Sequence, residues 1–226
     1  MDGNGRWAKK IGRQRVFGHE TGAESVNNTI EASLELGIKN VTLYAFSMEN
    51  WMRPKIEVNA LMNLLVKTLE KQLESLMKND IKLCAVGDLS PLKKQSKEKL
   101  SEVILKTSKN KKLVLNLAIS YGSRQEIENA FKLISKKVKN NIISEENIDE
   151  KIINDHLYTR NLPNVDLLIR TGGEHRISNF LLWQIAYAEF YFVDVLWPDF
   201  KKEDFFKAII NYQTRDRRFG KINSKK

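Results

Sequence analysis

The chain has few of the residues that build covalent or metal-based cross-links. It contains one cysteine, Cys84, which excludes an internal disulfide and leaves no pair of thiols at a zinc spacing. Cys84 lies in the apolar run 81–86, which favours an inert core thiol. The three histidines show no spacing typical of a permanent zinc site. The fold must therefore come from ordinary packing of a hydrophobic core.

Long apolar runs are also absent. The longest apolar stretch, residues 180–197, is interrupted by Gln184, Glu189 and Asp194, so it does not read as a membrane span. No signal peptide opens the sequence, because Asp2 and Arg6 stand where its apolar core would lie. We expect a soluble, cytoplasmic protein. Internal repeats and low-complexity segments are lacking as well, and 226 residues predict a single well-packed domain, residues 1–226.

Positive charge is what the chain has in excess. The formal net charge is +10 and the isoelectric point is near 9.5, which indicates an anionic partner such as nucleic acid, a membrane surface or a phosphorylated substrate. Most lysines are spread along helical segments, as is typical of solvated faces. The arginines instead gather at 6–15, 170–176 and 215–218. These clusters are the better candidates for anion binding.

Apolar runs alternate with segments of helical period. This alternation predicts an α/β fold in which a mostly parallel sheet is covered by helices on both faces. Ser90 and Pro91 are interpreted as an N-cap and the first turn of a helix. The predicted strands are 41–46, 81–86, 113–118 and 165–169, and the predicted helices are 23–36, 57–78, 91–107, 124–138 and 203–212.

The segment 166–183 is the strongest functional signal. A strand-like run ends at Arg170, turns through two glycines and then presents Glu174, Arg176 and Ser178. Ligands in α/β proteins bind at the carboxyl ends of strands, and arginines grip phosphate oxygens in a forked geometry. Glu189 follows on a segment that returns to the core, where it needs a metal or an arginine partner. A structural ion pair is the alternative for Arg170 and Glu189.

The opening residues predict a second anion cradle. Gly3 and Gly5 allow a turn that aims backbone N–H groups at one anion, while Asn4 and Arg6 add side-chain donors. Asp2 adds a carboxylate, which suits a divalent cation shared with a diphosphate. The pattern lacks the Gly-Lys-Ser/Thr of a Walker loop and the third glycine of a dinucleotide fingerprint. An ordinary tight turn is the alternative.

A third polar segment, residues 46–54, follows a predicted strand directly. It places Ser47, Glu49, Asn50 and Arg53 at the strand's carboxyl end, where loops commonly carry function. The alternative is a helix-capping connection with Trp51 as a core plug. Two polyanion cradles, a carboxylate near each and a large apolar remainder favour an enzyme that joins diphosphate-bearing lipids.

With these segments the chain resembles the cis-prenyltransferase family, and within it the bacterial undecaprenyl diphosphate synthases. Five motifs carry the resemblance in the family's order and spacing, and they run from the first residue almost to the last. The aspartate-rich Asp-Asp-x-x-Asp motif of trans-type prenyltransferases is absent. The matching stretches are 1–8, 17–23, 42–47 with 49–51 and 53–54, 121–122 with 124, and 166–200.

The resemblance implies both a fold and a reaction. The fold is a helix-wrapped, mostly parallel sheet with an apolar tunnel for the product, and the enzyme is a homodimer. The reaction is the sequential, Mg2+-dependent addition of isopentenyl diphosphate to farnesyl diphosphate with new cis double bonds. The product is a long polyprenyl diphosphate, the precursor of the lipid carrier for cell-wall glycans. Transient peripheral membrane contact is expected, and nucleic acid is not an expected partner.

The resemblance also assigns residues to roles. Asp2 matches the essential aspartate that acts through Mg2+, with Glu189 assisting the metal, and Asn50 matches a second catalytic residue. Arg170, Arg176 and Ser178 match residues that hold isopentenyl diphosphate. The residues matching those that hold the allylic diphosphate are Gly3, Asn4, Gly5, Arg6, Arg15 and Arg53. The matching residues that support the substrates are Trp7, His19, Ser47, Glu49 and Trp51.

The chain departs from the family pattern in three places. The family's Asn-Tyr-Gly-Gly-Arg appears as Ser-Tyr-Gly-Ser-Arg at 120–124. The Arg-x-Gly ending is present at 218–220, but Lys221 replaces the second glycine that often follows it. The family's first strand, which delivers the aspartate, has no counterpart before Met1. We expect the gene product to extend upstream by a strand or more.

Three other functions are compatible with part of the pattern. A basic nucleic-acid-binding protein would explain the charge, but aromatic residues are not interleaved with the arginines as stacking platforms. A non-catalytic partner subunit would have lost the aspartate and arginines that are present here. A truncated, inactive remnant of the same family would keep all of these motifs.

Overall fold

Helices and strands alternate along most of residues 1–220, which the computed structural model describes. The predicted α/β class is confirmed. In chain order the elements are α1 (Asn4–Lys10), α2 (Arg15–Glu35), β1 (Asn40–Ser47), α3 (Lys55–Lys78), β2 (Ile81–Val86), α4 (Lys94–Lys106), β3 (Leu113–Tyr121), α5 (Ser123–Lys139), α6 (Glu150–His156), β4 (Leu167–Arg170), β5 (Glu189–Phe192) and α7 (Lys202–Gln213).

Residues 33–163 and 177–182 form one of two compact units. Its sheet is parallel, with the strand order β1-β3-β2. The central strand β3 is covered on both faces, and Leu113, Ile119 and Tyr121 have no exposed surface. This burial explains why the strand reads as a near-continuous apolar run. Helices α3 and α4 pack against β2 and each other, and α5 packs against α6.

The other compact unit contains residues 1–32, 164–176 and the chain from Trp183 onward. Its two strands, β4 and β5, pair in parallel, so the parallel strands of this protein fall into two separate sheets. Helix α7 packs against β5, and α1 packs against the 3-10 turn Trp197–Asp199. Trp197 is buried and donates its indole N–H to the Gly22 carbonyl at 2.8 Å.

Two glycines of α2 bring the start of α1 close to it. A Cβ on Gly18 would stand 2.0 Å from the Asn4 carbonyl oxygen, and a Cβ on Gly22 would stand 2.4 Å from the Asn4 side-chain oxygen. A side chain at Gly18 would push the two helices apart, and a side chain at Gly22 would displace the Asn4 side chain and the Trp197 indole. Within the family motif at 17–23, Gly18 and Gly22 therefore allow α1 to pack closely because they have no side chains.

Some predicted boundaries were wrong. Helix α2 begins at Arg15 rather than at residue 23. Gly18 and Gly22 weaken the helical pattern of its first turns, but the helix keeps them because they allow close packing against α1. Ser90 and Pro91 do not start α4, whose N-cap is Lys93. The Asp88 carboxylate accepts the Ser90 N–H at 2.9 Å and forms a separate turn before the helix. Strand β5 was not predicted.

Two further observations concern the described residues as a set. None of their helices combines the length and the apolar character that crossing a bilayer needs. Cys84 is half-buried in β2 rather than deep in the core, and burial raises the pKa of its thiol. Lys221, where the sequence departs from the family ending, lies outside the described residues.

Candidate diphosphate-binding site

The opening segment is a helix start rather than a free turn. Gly3 has a φ of +108°, a conformation that side chains disfavour, and it stands at the N-cap of α1. Gly5 is already inside the helix, so its predicted role in a turn was wrong. Its lack of a side chain instead makes room for Arg15, whose guanidinium carbon would stand 2.8 Å from a Cβ at this position.

The backbone of Asp2 is fixed by hydrogen bonds from residues distant in sequence. The Thr171 hydroxyl accepts the Asp2 N–H at 2.9 Å and donates to the Asp2 carbonyl at 2.9 Å. The backbone N–H of Trp197 also donates to that carbonyl, at 3.0 Å. Thr171 is buried and directly follows β4. The carboxylate of Asp2 is therefore aimed from a fixed main chain at the carboxyl end of this strand.

Asp2 and four other charged side chains form a series of ion pairs that alternate in sign. The Arg170 guanidinium lies 2.9 Å from one carboxylate oxygen of Asp2, and Arg6 lies 3.5 Å from the other. Arg6 also pairs with Glu174 at 3.1 Å, and Glu174 pairs with Arg176 at 2.5 Å. A second nitrogen of Arg170 donates to the Arg176 carbonyl. Three arginines and two carboxylates leave one net positive charge, within reach of solvent.

The ion pairs set the ionisation of Asp2. Partial burial acts to raise its pKa, but the hydrogen bond and charge of Arg170, the charge of Arg6 and the Gly3 N–H outweigh burial and lower the pKa. Asp2 is thus a carboxylate at neutral pH. It can accept hydrogen bonds or bind a cation, but it holds no proton to donate.

Gly172 keeps Arg6 close to this carboxylate. Its φ is +89°, and a Cβ would stand 2.6 Å from a guanidinium nitrogen of Arg6. The N–H groups of Gly172 and Gly173 are both taken by the carbonyls of the segment after β5, at 2.8 and 3.0 Å. In the glycine turn predicted as a phosphate cradle, these two N–H groups are therefore already hydrogen-bonded within the protein and do not point at an anion. Phosphate binding here would fall to the arginines.

Glu189, predicted to assist the metal, lies at the other end of the two-stranded sheet. It pairs in register with Leu167, whereas Arg170 pairs with Phe192. The two positions are three residues apart, about 10 Å at ~3.3 Å per residue. Glu189 forms an ion pair with Arg215 at 2.8 Å. The requirement for an arginine partner is met, and the structural ion pair that was the alternative reading is present.

The polar residues after β1 form a second group, in the unit that contains the three-stranded sheet. Ser47 caps the 3-10 turn Met48–Met52 by accepting the Asn50 N–H at 3.3 Å, while the Asn50 side chain accepts the Ser47 N–H at 3.2 Å. Trp51 donates its indole N–H to the Ser120 hydroxyl at 2.8 Å. The capping connection that was the alternative is present, whereas Trp51 is only half-buried and does not fill the core.

Ser178 belongs to this second group and not to the unit of Arg170 and Arg176. The segment 177–182 forms hydrogen bonds with the start of α5 and with Glu49 through Asn179. Ser178 itself is exposed and has a φ of +54°. Of the three residues predicted to hold isopentenyl diphosphate, Arg170 and Arg176 therefore belong to one compact unit and Ser178 belongs to the other.

The remaining predicted residues have local partners. Trp7 donates its indole N–H to Asp199 at 2.7 Å and stacks on Phe17. Arg53 pairs with Glu57 at 3.1 Å. Asn4 is buried and donates to the Met1 carbonyl at 3.2 Å. His19 is half-buried on α2, and Arg15 is exposed at the start of that helix.

Sequence reasoning missed two residues that organise these groups and misassigned the role of a third. Thr171 anchors Asp2, Glu174 joins Arg6 to Arg176, and Asn179 fixes the segment that carries Ser178. Glu174 had been grouped with anion-binding side chains, although a carboxylate competes with an anion. The excess of arginines around it was the signal that could have identified a counter-ion.

Comparison with known proteins identifies the family. A family model described as putative undecaprenyl diphosphate synthase matches residues 1–220. The chain belongs to this prenyltransferase family. An isoprenyl transferase of Chlorobaculum tepidum is 47% identical over 223 residues, which are 99% of this chain and 84% of that protein. A ditrans,polycis-undecaprenyl-diphosphate synthase of Haemophilus influenzae, named as specific for (2E,6E)-farnesyl diphosphate, is 49% identical over 97% of this chain and 92% of its own length.

A solved structure supports the same fold. Lavandulyl diphosphate synthase from Lavandula x intermedia, in complex with dimethylallyl diphosphate, aligns with a TM-score of 0.95 and 37% identity. The alignment covers 98% of this chain and 95% of that one. The resemblance to cis-prenyltransferases inferred from five motifs is confirmed. The roles of individual residues in this prenyltransferase stay predictions.

Proposed function

We propose that this prenyltransferase adds isopentenyl diphosphate units to farnesyl diphosphate and makes a long polyprenyl diphosphate with new cis double bonds. Such a product is the precursor of the lipid carrier used in cell-wall glycan synthesis. The names of the curated relatives support the substrate. The alternating charge cluster around Asp2 is the observation in this structure that carries the proposal.

The cluster has the composition that a transferable diphosphate needs. Arg6, Arg170 and Arg176 supply forked N–H donors, which match the oxygens of a diphosphate. Asp2 and Glu174 hold these arginines while no substrate is bound. An incoming diphosphate can take the place of the carboxylates without exposing an unpaired arginine. Binding is therefore an exchange of anions.

The reaction is a displacement at an allylic carbon. The carbon–oxygen bond of the allylic diphosphate breaks and the diphosphate leaves with the electron pair. A carbon–carbon bond forms to isopentenyl diphosphate, which loses a proton. Negative charge grows on the departing diphosphate, so arginines positioned against it stabilise the transition state. The site needs placed positive charge rather than a nucleophilic side chain.

The donor set around Asp2 fits Mg2+. The described residues contain no cluster of three or more His, Cys, Asp or Glu that could hold a metal by themselves. Mg2+ usually binds through one or two carboxylates together with substrate phosphates and water, and Asp2 offers an ionised, partly exposed carboxylate. Bound there with a diphosphate, Mg2+ would neutralise charge on the leaving group. Glu189, in its ion pair with Arg215, is the weaker candidate.

Incorporation of radiolabelled isopentenyl diphosphate into farnesyl diphosphate tests the proposal, with products resolved by chain length in the presence of Mg2+ or EDTA. We expect long products that require the metal. The Arg6→Ala variant should lose incorporation, whereas Lys10→Ala, on the same helix, should not. Products that stop after one condensation would assign the chain to short-chain synthesis. No incorporation would contradict the proposed activity.

We also propose that the enzyme works as a homodimer and contacts membranes transiently when it releases its product. The support for the dimer is a set of exposed apolar side chains in the C-terminal part of the described chain, which a partner subunit would cover in solution. Tyr187, Ile210 and Phe219 are 67%, 60% and 55% exposed. Sedimentation analysis should give twice the chain mass of 26.2 kDa. Sedimentation as a monomer at micromolar concentration would contradict the dimer.

A further inference from the structure

The segment 177–182 has an unfavourable backbone. Ser178, Asn179 and Leu181 have φ angles of +54°, +61° and +48°, in the left-handed region that residues other than glycine rarely adopt. Three such residues in four positions need contacts that hold them. These contacts come from the carboxyl ends of β1 and β3 and the start of α5, and Asn179 makes most of them.

Asn179 caps helix α5 although it is 55 residues away in sequence. The N-cap residue of α5 is Gly122, which has no side chain to accept a hydrogen bond. The Asn179 carbonyl accepts the Ser123 N–H at 2.8 Å, and its side-chain oxygen accepts the Arg124 N–H at 2.9 Å. In return the Ser123 hydroxyl accepts the Leu182 N–H at 2.9 Å. The segment and the helix start satisfy each other's backbone groups.

The side-chain nitrogen of Asn179 joins this cap to the turn after β1. It donates to a Glu49 carboxylate oxygen at 2.8 Å and to the Gln125 side-chain oxygen at 3.0 Å. Burial acts to raise the pKa of Glu49, but the hydrogen bond from Asn179 leads the effects that lower the pKa. An ionised carboxylate only accepts and a backbone N–H only donates, so the orientation of the Asn179 amide is chemically fixed.

Glu49 is in turn part of the 3-10 turn that presents Asn50. The reciprocal hydrogen bonds of Ser47 and Asn50 close this turn on either side of Glu49. One hydrogen bond, between residues 130 positions apart, therefore connects the turn of Asn50 to the segment of Ser178. Both of these residues were predicted to act on the substrates.

We propose that Asn179 is a positioning residue, with Glu49 as its partner, and that the pair sets the Ser178 hydroxyl for the diphosphate of isopentenyl diphosphate. This inference rests on the proposed function. It also changes the role of Glu49, which was predicted to contact the substrates and is now proposed to hold Asn179 in place. The pair acts by orientation, so its loss should weaken isopentenyl diphosphate binding while farnesyl diphosphate binding persists.

A reversal of the hydrogen bond tests the pair. Asn179→Asp keeps the acceptor for the Arg124 N–H and tolerates the left-handed backbone, but it sets a carboxylate against Glu49. We expect its KM for isopentenyl diphosphate to rise about tenfold or more, with a smaller change in kcat. The double variant Asn179→Asp/Glu49→Gln allows the new glutamine to donate to the new aspartate. Most of the lost KM should return in the double variant.

Matched variants separate positioning from folding. Asn141 also has a left-handed φ, +55°, and is exposed in the same unit, so Asn141→Asp should keep the wild-type KM. Glu49→Ala removes the acceptor from an exposed side chain and should raise the same KM even if Asn179 variants fold poorly. Melting temperatures measured alongside detect a loss of folded protein.

The possible results distinguish a failure of the positioning pair from a failure of the proposed prenyltransferase function. A wild-type enzyme without incorporation would overturn both. Wild-type activity with an unchanged KM in Asn179→Asp and Glu49→Ala would overturn the positioning pair alone. A change in the KM for farnesyl diphosphate instead, or no recovery in the double variant, would also reject it.

Discussion

The charged cluster around Asp2 and the hydrogen-bonded group around Asn179 are built from different interactions. The first consists of ion pairs among partly exposed side chains, and Arg6 and Arg176 are 46% and 60% exposed. The second consists of amide, hydroxyl and backbone groups whose donors and acceptors match. Exposed ion pairs are weak and are screened by salt, whereas matched backbone hydrogen bonds are directional and insensitive to salt.

This difference is why we propose that the first region binds the substrate and the second positions a side chain. A carboxylate that pairs with an arginine occupies the place of a ligand anion, so the cluster around Asp2 can exchange partners when a diphosphate arrives. The group around Asn179 already satisfies the backbone groups it contacts, and a ligand gains nothing by replacing them. Mutations in the first region should therefore change chemistry and affinity, and mutations in the second should change orientation.

The largest effect is expected for Asp2→Ala. Loss of this carboxylate should reduce kcat by about 100-fold or more, because charge on the leaving group is no longer balanced, while farnesyl diphosphate binding is largely kept. Steady-state kinetics and calorimetric titration measure the two effects. Asp155→Ala removes an exposed aspartate paired with Lys151 and serves as the control. Wild-type turnover in Asp2→Ala would remove this residue from the mechanism.

Arg176→Ala should have the next largest effect. The loss of one forked donor to a phosphate is expected to raise the KM for isopentenyl diphosphate about tenfold to 100-fold. Arg160→Ala, at another exposed arginine, should leave the KM unchanged. Equal effects of the two substitutions would mean that general positive charge, rather than this cluster, attracts the substrate. The comparison between the two regions would then fail.

Glu174→Gln should produce a smaller effect of opposite sign. Glu174 neutralises Arg6 and Arg176 before a ligand binds, so its removal should tighten the binding of inorganic diphosphate about threefold to tenfold. Calorimetric titration at two salt concentrations measures this gain, which should shrink at high salt. Glu128→Gln, at an exposed glutamate paired with Lys132, is the control. Weaker binding would show that Glu174 orients the arginines instead of competing with the ligand.

The smallest effect concerns stability and pH. The lowered pKa of Asp2 means that its ion pairs stabilise the fold above the ordinary value of 3.8, and that this stability is lost as the pH falls through the lowered folded value. Because the side chain is 38% exposed, the contribution is about 1 kcal/mol or less. Urea unfolding of the wild type and Asp2→Asn should differ by this amount at pH 6 and by less at pH 3. A difference that grows on acidification would contradict this origin.

The sequence predicted those features that depend on local patterns. Apolar runs located β1, β2, β3 and β4 because buried parallel strands are apolar throughout. The same rule missed β5, since Glu189–Phe192 is short and only partly buried. Gly18 and Gly22 hid the first two turns of α2, because a local pattern treats glycine as a helix breaker.

The partners of side chains could not be predicted in this way. The pair of Asp2 and Arg170 joins residues 168 positions apart, and periodicity contains no information on which distant charges meet. Family resemblance suggested roles for both residues but not their contact. It also suggested a metal role for Glu189, which the register of β4 and β5 places about 10 Å along the strand from Arg170. The distance between Glu189 and Arg170 depends on the register in which β4 and β5 pair, and the sequence of one segment alone does not determine that register.

The glycines of α2 have a consequence for how this protein tolerates change. A survey of every single substitution should find α2 permissive at exposed positions such as Glu20 and Glu24, with intolerance recurring four residues apart at Gly18 and Gly22. Even alanine, the residue that favours helices most, should be rejected there. The enzyme would lose function through a single added methyl group on a helix that carries none of the charges around Asp2.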